Sequence, residues 1–134
     1  MMLYMLDTCI CIDYLRGRNE HLHQKLRSYN PRQIKIPVVV LAELLHGAYH
    51  SKRVEDNLRE TMDFIADFEV LPLGVAEADM YGQILASLER KGQVIGNNDI
   101  LIAATALLRN AVLVTNNTRE FSRINGLKLD DWTL

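Results

Sequence analysis

Met2-Leu3-Tyr4-Met5-Leu6 is an uninterrupted apolar run that ends on Asp7-Thr8. A half-exposed strand alternates polar and apolar residues. A run without alternation belongs to a strand covered on both faces, as at the centre of a parallel sheet. The run stops on a carboxylate with no Lys or Arg within three residues. Thr8 can accept a hydrogen bond at the start of a helix predicted over Cys9 to Arg16. The strand therefore delivers Asp7 to the carboxyl edge of a sheet, where open α/β folds bind ligands. The bland alternative is that Asp7 only caps the helix. Other acids arriving at the same edge would decide against it.

Downstream, the chain alternates helices and strands. A second helix is expected over Glu20 to Ser28, broken by Asn30-Pro31, then a short strand over Gln33 to Ile36. Pro37 suits a helix start, and Val39 to Tyr49 follows as a strongly apolar helix, although its β-branched beginning would also fit a longer strand. Lys52 to Asp67 is amphipathic, with Val54, Leu58, Met62 and Ile65 on its expected buried face. Val70 to Leu73 is a strand that Pro72 ends or confines to an edge. Glu77 to Arg90 is amphipathic and stops at Gly92. Asn98 to Arg109 is apolar nearly all round and should be buried. Ala111 to Thr115 is a second buried strand, followed by an Asn116-Asn117-Thr118 turn, a short helical piece at Glu120-Phe121 and a last strand over Leu127 to Leu129. This order predicts an α/β fold with a central parallel sheet between layers of helices. No repeat, linker or low-complexity tract divides the 134 residues, so one domain over 1–134 is expected.

Composition narrows the function classes. No apolar run is long enough to cross a bilayer, and the first one lacks the basic flank and cleavage site of a signal peptide. No membrane partner and a cytoplasmic location are expected. Cys9 and Cys11 stand too close for an ordinary bridge and read as small core residues of a reduced protein. The net charge of −2, from 15 basic and 17 acidic residues, does not advertise nucleic-acid binding. An RNA-acting chain of this charge needs a local basic surface and metal ions to mask its acids.

Three acids stand in apolar settings. Asp7 ends the first strand, Glu43 is embedded in Val38-Val39-Val40-Leu41-Ala42-Glu43-Leu44-Leu45, and Asp99 opens Ile100-Leu101-Ile102-Ala103-Ala104. An unpaired buried carboxylate costs several kcal/mol, relieved by a raised pKa or a cation. None of the three has a basic neighbour in sequence. Taken singly, Glu43 could lie on an exposed helix face and Asp99 could serve the helix dipole. If the strands are parallel, Thr115 delivers Asn116 and Asn117 to the same edge as Asp7, with Glu120 just beyond, although Asn-Asn is also ordinary turn chemistry. Oxygen-only ligands favour Mg²⁺ or Mn²⁺, and that chemistry suits phosphodiester hydrolysis. His46 and His50 have the i, i+4 spacing of zinc ligands without the Glu of an H-E-x-x-H motif.

Met5-Leu6-Asp7-Thr8, Leu41 to Ala48, Ile95 to Ala104, Leu113 to Phe121 and the closing Leu129-Asp130-Asp131-Trp132 form a set in one order and spacing. In that set the chain resembles the PIN-domain ribonucleases and, among them, the VapC toxins of type II toxin–antitoxin pairs. The resemblance implies a three-layer α/β/α sandwich and a toxin that is a Mg²⁺- or Mn²⁺-dependent endoribonuclease acting on structured RNA, with tRNA favoured. Carried over by position, Asp7, Glu43 and Asp99 match the three acids the family shares and would be the catalytic, metal-holding ones. Asn117 stands where the family often has a fourth acid, so Glu120, Asn117 or Asn116 would have to assist. Thr8, Thr115 and Asn116 would support substrate or water. Cys9 replaces a usual Asn. The resemblance further implies a VapB-type antitoxin, promoter DNA reached only through it, and a homodimer. The alternative is a catalytically weak PIN-fold binding protein acting through its antitoxin complex. A phospho-acceptor signalling domain also places acids on a short α/β chain, but Thr115 is followed by Asn rather than by the late Lys it needs.

Overall fold

The computed structural model describes all residues, Met1–Leu134. Its centre is β1, Tyr4–Leu6, buried along its whole length. Met5 and Leu6 are fully buried; each such side chain contributes about 2–3 kcal/mol by leaving water. Around it stand β2 (Ile34–Pro37), β3 (Glu69–Leu71), β4 (Val112–Val114) and β5 (Lys128–Asp130), in the order β3-β2-β1-β4-β5. Every pairing is parallel. The continuous apolar character of β1 and β4 follows from this placement, with neighbours on both sides and helices over both faces.

The helices are α1 (Thr8–Leu15), α2 (Glu20–Arg27), α3 (Val38–Tyr49), α4 (Val54–Ile65), α5 (Val75–Lys91), α6 (Asn97–Leu108) and the single turn α7 (Thr118–Phe121). α1, α3 and α4 pack on one another, and α5 packs along α6. One continuous core of 30 buried apolar residues joins sheet and helices. The α/β/α sandwich is therefore as expected. No helix is long and apolar enough to cross a membrane.

Several boundaries differ from the sequence expectation for local reasons. The first strand begins at Tyr4, where both of its ladders start; Met2 is exposed and its carbonyl accepts from the Gln33 side chain. Val38 to Tyr49 is helical despite its three valines; β2 ends at Pro37, which serves as the N-cap residue of α3. The buried face of α4 is Thr61, Phe64 and Ile65, while Met62 is 47% exposed. A spacing of four drifts around a helix of 3.6 residues per turn, so the stripe Val54–Leu58–Met62 rotates out of the core. α5 starts two residues before Glu77. Trp132, fully buried, stacks on Tyr29 at 4.9 Å and lies 5.2 Å from Tyr4, which fixes the C-terminal stretch against β1.

The strand order places a switch point beside β1. The chain runs outward through β2 and β3 on one side, then returns to build β4 and β5 on the other. Leu6 pairs with Val114, so the residues that follow each strand, Asp7 and Thr115, emerge together at the carboxyl edge. That is the crevice position for ligands in open α/β sheets.

Candidate metal and catalytic site

Asp7 is the N-cap residue of α1 and is nearly buried. Its backbone N–H is tied to Val114 O at 2.9 Å, which fixes its position across the switch point. Its carboxylate accepts three hydrogen bonds. Thr8 N donates to Oδ1 at 2.7 Å, Thr115 Oγ1 donates to Oδ2 at 2.7 Å, and Cys9 Sγ donates to Oδ2 at 3.2 Å. Asp7 is thus the cap, and the Thr8 hydroxyl is free for another task. It donates to Glu43 Oε1 at 2.7 Å. Thr8 therefore holds Asp7 through its backbone and Glu43 through its side chain, locking two acids that lie far apart in sequence.

Glu43 sits on the face of α3 that turns toward the start of α6. Glu43, Gly96, Asn97, Asn98 and Asp99 line an open hollow of about 400 Å³ that contains no apolar side chain. Asp99 lies in the first turn of α6 and makes no side-chain hydrogen bond. Partial burial pushes its carboxyl up to about 6, and the charges of Asp7, Glu43 and Glu120 add to the rise. Each of these carboxylates thus acts electrostatically on Asp99, across a site fed by four separate elements.

Beyond β4, Thr115 is fully buried. Its hydroxyl donates a hydrogen bond to Asp7 Oδ2 and accepts one from the backbone N–H of Asn117 at 3.0 Å. The Asn117 amide Nδ2 donates to Glu120 Oε2 at 3.3 Å. Asn116 turns away: its Nδ2 lies 3.5 Å from Asp13 Oδ2 on α1. The structure therefore gathers Asp7, Thr8, Glu43, Asp99, Thr115, Asn117 and Glu120 at one edge and leaves Asn116 on its outer side.

No basic side chain neutralises this edge. The ion pairs of the chain join Arg18 to Asp13, Lys35 to Glu69, Arg53 and Arg59 to Asp56, and Arg109 to Glu77. None involves Asp7, Glu43, Asp99 or Glu120. Nor are any three His, Cys, Asp or Glu side chains closed around a common point at ligand distance. The acids form an open bracket. Its donors are carboxylate oxygens, which suit a hard cation, and Mg²⁺ characteristically retains several waters and takes few carboxylates. The donor set fits Mg²⁺ or Mn²⁺ on chemistry. His46 and His50 are exposed, with ring centroids 5.9 Å apart, and neither is hydrogen-bonded to an acid of the site.

Two residues take roles that the sequence does not announce. Cys9, expected in the core with Cys11, is only partly buried and bonds the site; only Cys11 is a core residue. Burial, with the Asp7 charge adding to it, pushes the Cys9 thiol up to about 12. Glu77, which the helix boundary hid, is a buried acid paired with Arg109 and remote from the cluster in role. The spacing Gly74-x-x-Glu77 was the available signal.

Comparison with known proteins agrees with this architecture. The PIN domain family matches residues 4–127. Ribonuclease VapC2 of Rickettsia felis is 39% identical over 132 residues, covering 98% of each chain. The tRNA(fMet)-specific endonuclease VapC of Shigella flexneri is 38% identical over 99% of this chain and 100% of its own. Among solved structures, DNA-bound VapBC from Salmonella typhimurium superposes with a TM-score of 0.93 at 40% identity, covering 98% of this chain and 99% of that one. VapBC2 from Rickettsia felis, bound to a DNA fragment from its promoter, gives 0.92 at 39% identity over the same shares. On fold, coverage and identity together, the chain belongs to the VapC family of PIN-domain ribonucleases.

Proposed function

We propose that this chain is the toxin of a toxin–antitoxin pair and acts as a Mg²⁺- or Mn²⁺-dependent endoribonuclease on structured RNA, with tRNA the favoured substrate. The observation that carries the reading is the carboxyl edge itself: four carboxylates, none ion-paired, with Asp99 held near 6 by burial and the other acids. So much uncompensated charge is costly in the free protein and is relieved by a divalent cation. A bound divalent cation supplies acidification of the attacking water and charge compensation at the scissile phosphate. Asp7, Glu43 and Asp99 would hold it, with Glu120 and Asn117 assisting. Thr8 keeps Asp7 and Glu43 in register, and Thr115 keeps Asp7 turned to the edge.

The partner reading is a VapB-type antitoxin that carries the contacts to promoter DNA, with the toxin itself a homodimer. A groove of about 180 Å³ between α1, α3 and α4 runs to Glu43 over Ile12, Leu15, Leu44 and Ala48, with Arg16 and Glu60 also lining it. An antitoxin segment lying in it would reach the acids, where an Arg would replace the cation's charge.

The test is cleavage of total RNA by purified protein, with fragment ends sequenced. Cleavage should stop in chelator and return with Mg²⁺ or Mn²⁺, and the ends should map to tRNA. Persistent cleavage in chelator would remove the metal from the reading. Absence of any cleavage, with intact repression in complex with the antitoxin, would favour the binding-protein alternative.

A further inference from the structure

The three hydrogen bonds on Asp7 are distributed unevenly between its oxygens. Oδ2 accepts two, from Thr115 Oγ1 at 2.7 Å and Cys9 Sγ at 3.2 Å, which accounts for both of its in-plane lone pairs; Cys9 Sγ also lies 3.8 Å from Thr115 Oγ1, a longer approach than the one to Asp7. Oδ1 accepts one, from Thr8 N at 2.7 Å, and keeps a lone pair open. We infer that Cys9 is a positioning residue: its S–H, with Thr115, fills Oδ2 and so fixes Oδ1 as the only oxygen of Asp7 that can face a cation. The inference rests on the proposed metal-dependent reading and deepens it.

Geometry supports a specific role over simple packing. Cys9 and Cys11 leave the same turn of α1, yet Cys11 points into the core and makes no side-chain hydrogen bond, while Cys9 turns to the edge. Without the thiol, Oδ2 would hold one donor and Oδ1 one donor. The two oxygens would then be equivalent in occupancy, and a rotation of the carboxylate would present either of them. Orientation by outer groups of this kind tunes affinity for the metal rather than the presence of the site. A hydroxyl at the same place has the same single proton and can make the same bond. Ser is therefore the conservative replacement and Ala the disruptive one.

The experiment combines infrared spectroscopy of the S–H stretch with Mn²⁺ titration followed by electron paramagnetic resonance. In metal-free protein, two S–H bands are expected. The one lost in Cys9→Ser should lie at lower frequency than the Cys11 band, because only Cys9 donates to a carboxylate. Mn²⁺ affinity should fall about fivefold to tenfold in Cys9→Ala and recover to within about twofold of the parent in Cys9→Ser. Equal affinity in Cys9→Ala and the parent overturns the inference, as does a Cys9 band at or above that of Cys11. Should the parent itself bind no Mn²⁺, the metal-dependent reading fails and the cation role of Cys9 fails with it. The infrared result, which needs no metal, tells that failure apart from an absent Cys9–Asp7 bond and also stands if Cys9→Ala folds poorly.

Discussion

Glu77 and Asp99 occupy the same place on adjacent helices. Each is the third residue of its helix, α5 or α6, and each follows a glycine N-cap, Gly74 or Gly96. Their fates are opposite. Glu77 is buried, takes the backbone N–H of Gly74 at 2.7 Å and faces Arg109 at 3.3 Å. The Gly74 N–H, then Arg109, hold its carboxyl below the usual carboxylate range in spite of burial. Asp99 is one methylene shorter and takes no N–H, and its burial is compounded by Asp7, Glu43 and Glu120, so its carboxyl is held near 6. A helix start stabilises an acid at either place. What separates them is the rest of the fold, which brings a guanidinium to one and three carboxylates to the other. The first acid is complete within the chain. The second is left needing a charge from outside, which is the mark of a site rather than of a scaffold.

The largest effect should come from removing that need. Asp99→Asn is expected to lower RNA cleavage by more than about 100-fold while raising the Tm of the metal-free protein by about 2–6 °C, since like-charge repulsion disappears. Cleavage assays beside thermal melts in chelator measure both. Asp99→Glu sharpens the comparison. The longer carboxylate can reach Gly96 N as Glu77 reaches Gly74 N, so the variant should also melt higher and cleave poorly. A variant toxic to cells at parental level would show that Asp99 is no more functional than Glu77.

Glu77→Ala is the reciprocal change and a smaller one. It removes a helix-start bond and leaves Arg109 without its partner at the α5–α6 contact. The Tm should fall by about 3–6 °C, with cleavage at 25 °C kept within about twofold of the parent. Loss of cleavage without loss of Tm would place Glu77 in the catalytic machinery and dissolve the contrast.

How much of this was legible in the sequence depends on the range of the interaction. Asp7 and Asp99 announced themselves because each interrupts or opens an apolar run that could only be buried, and the parallel sheet then forced Asp7 and Thr115 to one edge. The alternation of elements fixed the class of fold. The strand order was not legible, since nothing in Tyr4–Leu6 or Val112–Val114 states that they are neighbours. Glu77 was missed because a capping box is normally signalled by Ser or Thr at the N-cap, and Gly74 contributes only its backbone. Cys9 reads from sequence as a small core residue or as a missing amide, because its hydrogen bond depends on a rotamer that spacing does not encode. Both Asp7 and Thr8 read as caps of α1 from sequence alone, and only the backbone conformation decides for Asp7.

The smallest effect is in the pH dependence of stability, and its sign distinguishes the two acids. Asp99 has an ordinary carboxyl pKa of 3.8 when unfolded and about 6 when folded. Between those values the native state binds more protons, so stability falls as pH rises through that window and levels off above about 6. Glu77, with its folded pKa lowered, works in the opposite direction: its contribution is present above the ordinary carboxylate range and is lost as pH falls through the lowered value. Thermal melts of metal-free protein between pH 4 and pH 7 should therefore show a shallow decline with rising pH, screened in part because Asp99 is half exposed. Asp99→Asn should flatten that decline, and saturating Mg²⁺ should reverse it by favouring the ionised carboxylate. A parent curve that rises through the same window would mean that Asp99 has found a cationic partner in solution. The difference between the two helix starts would then be one of degree.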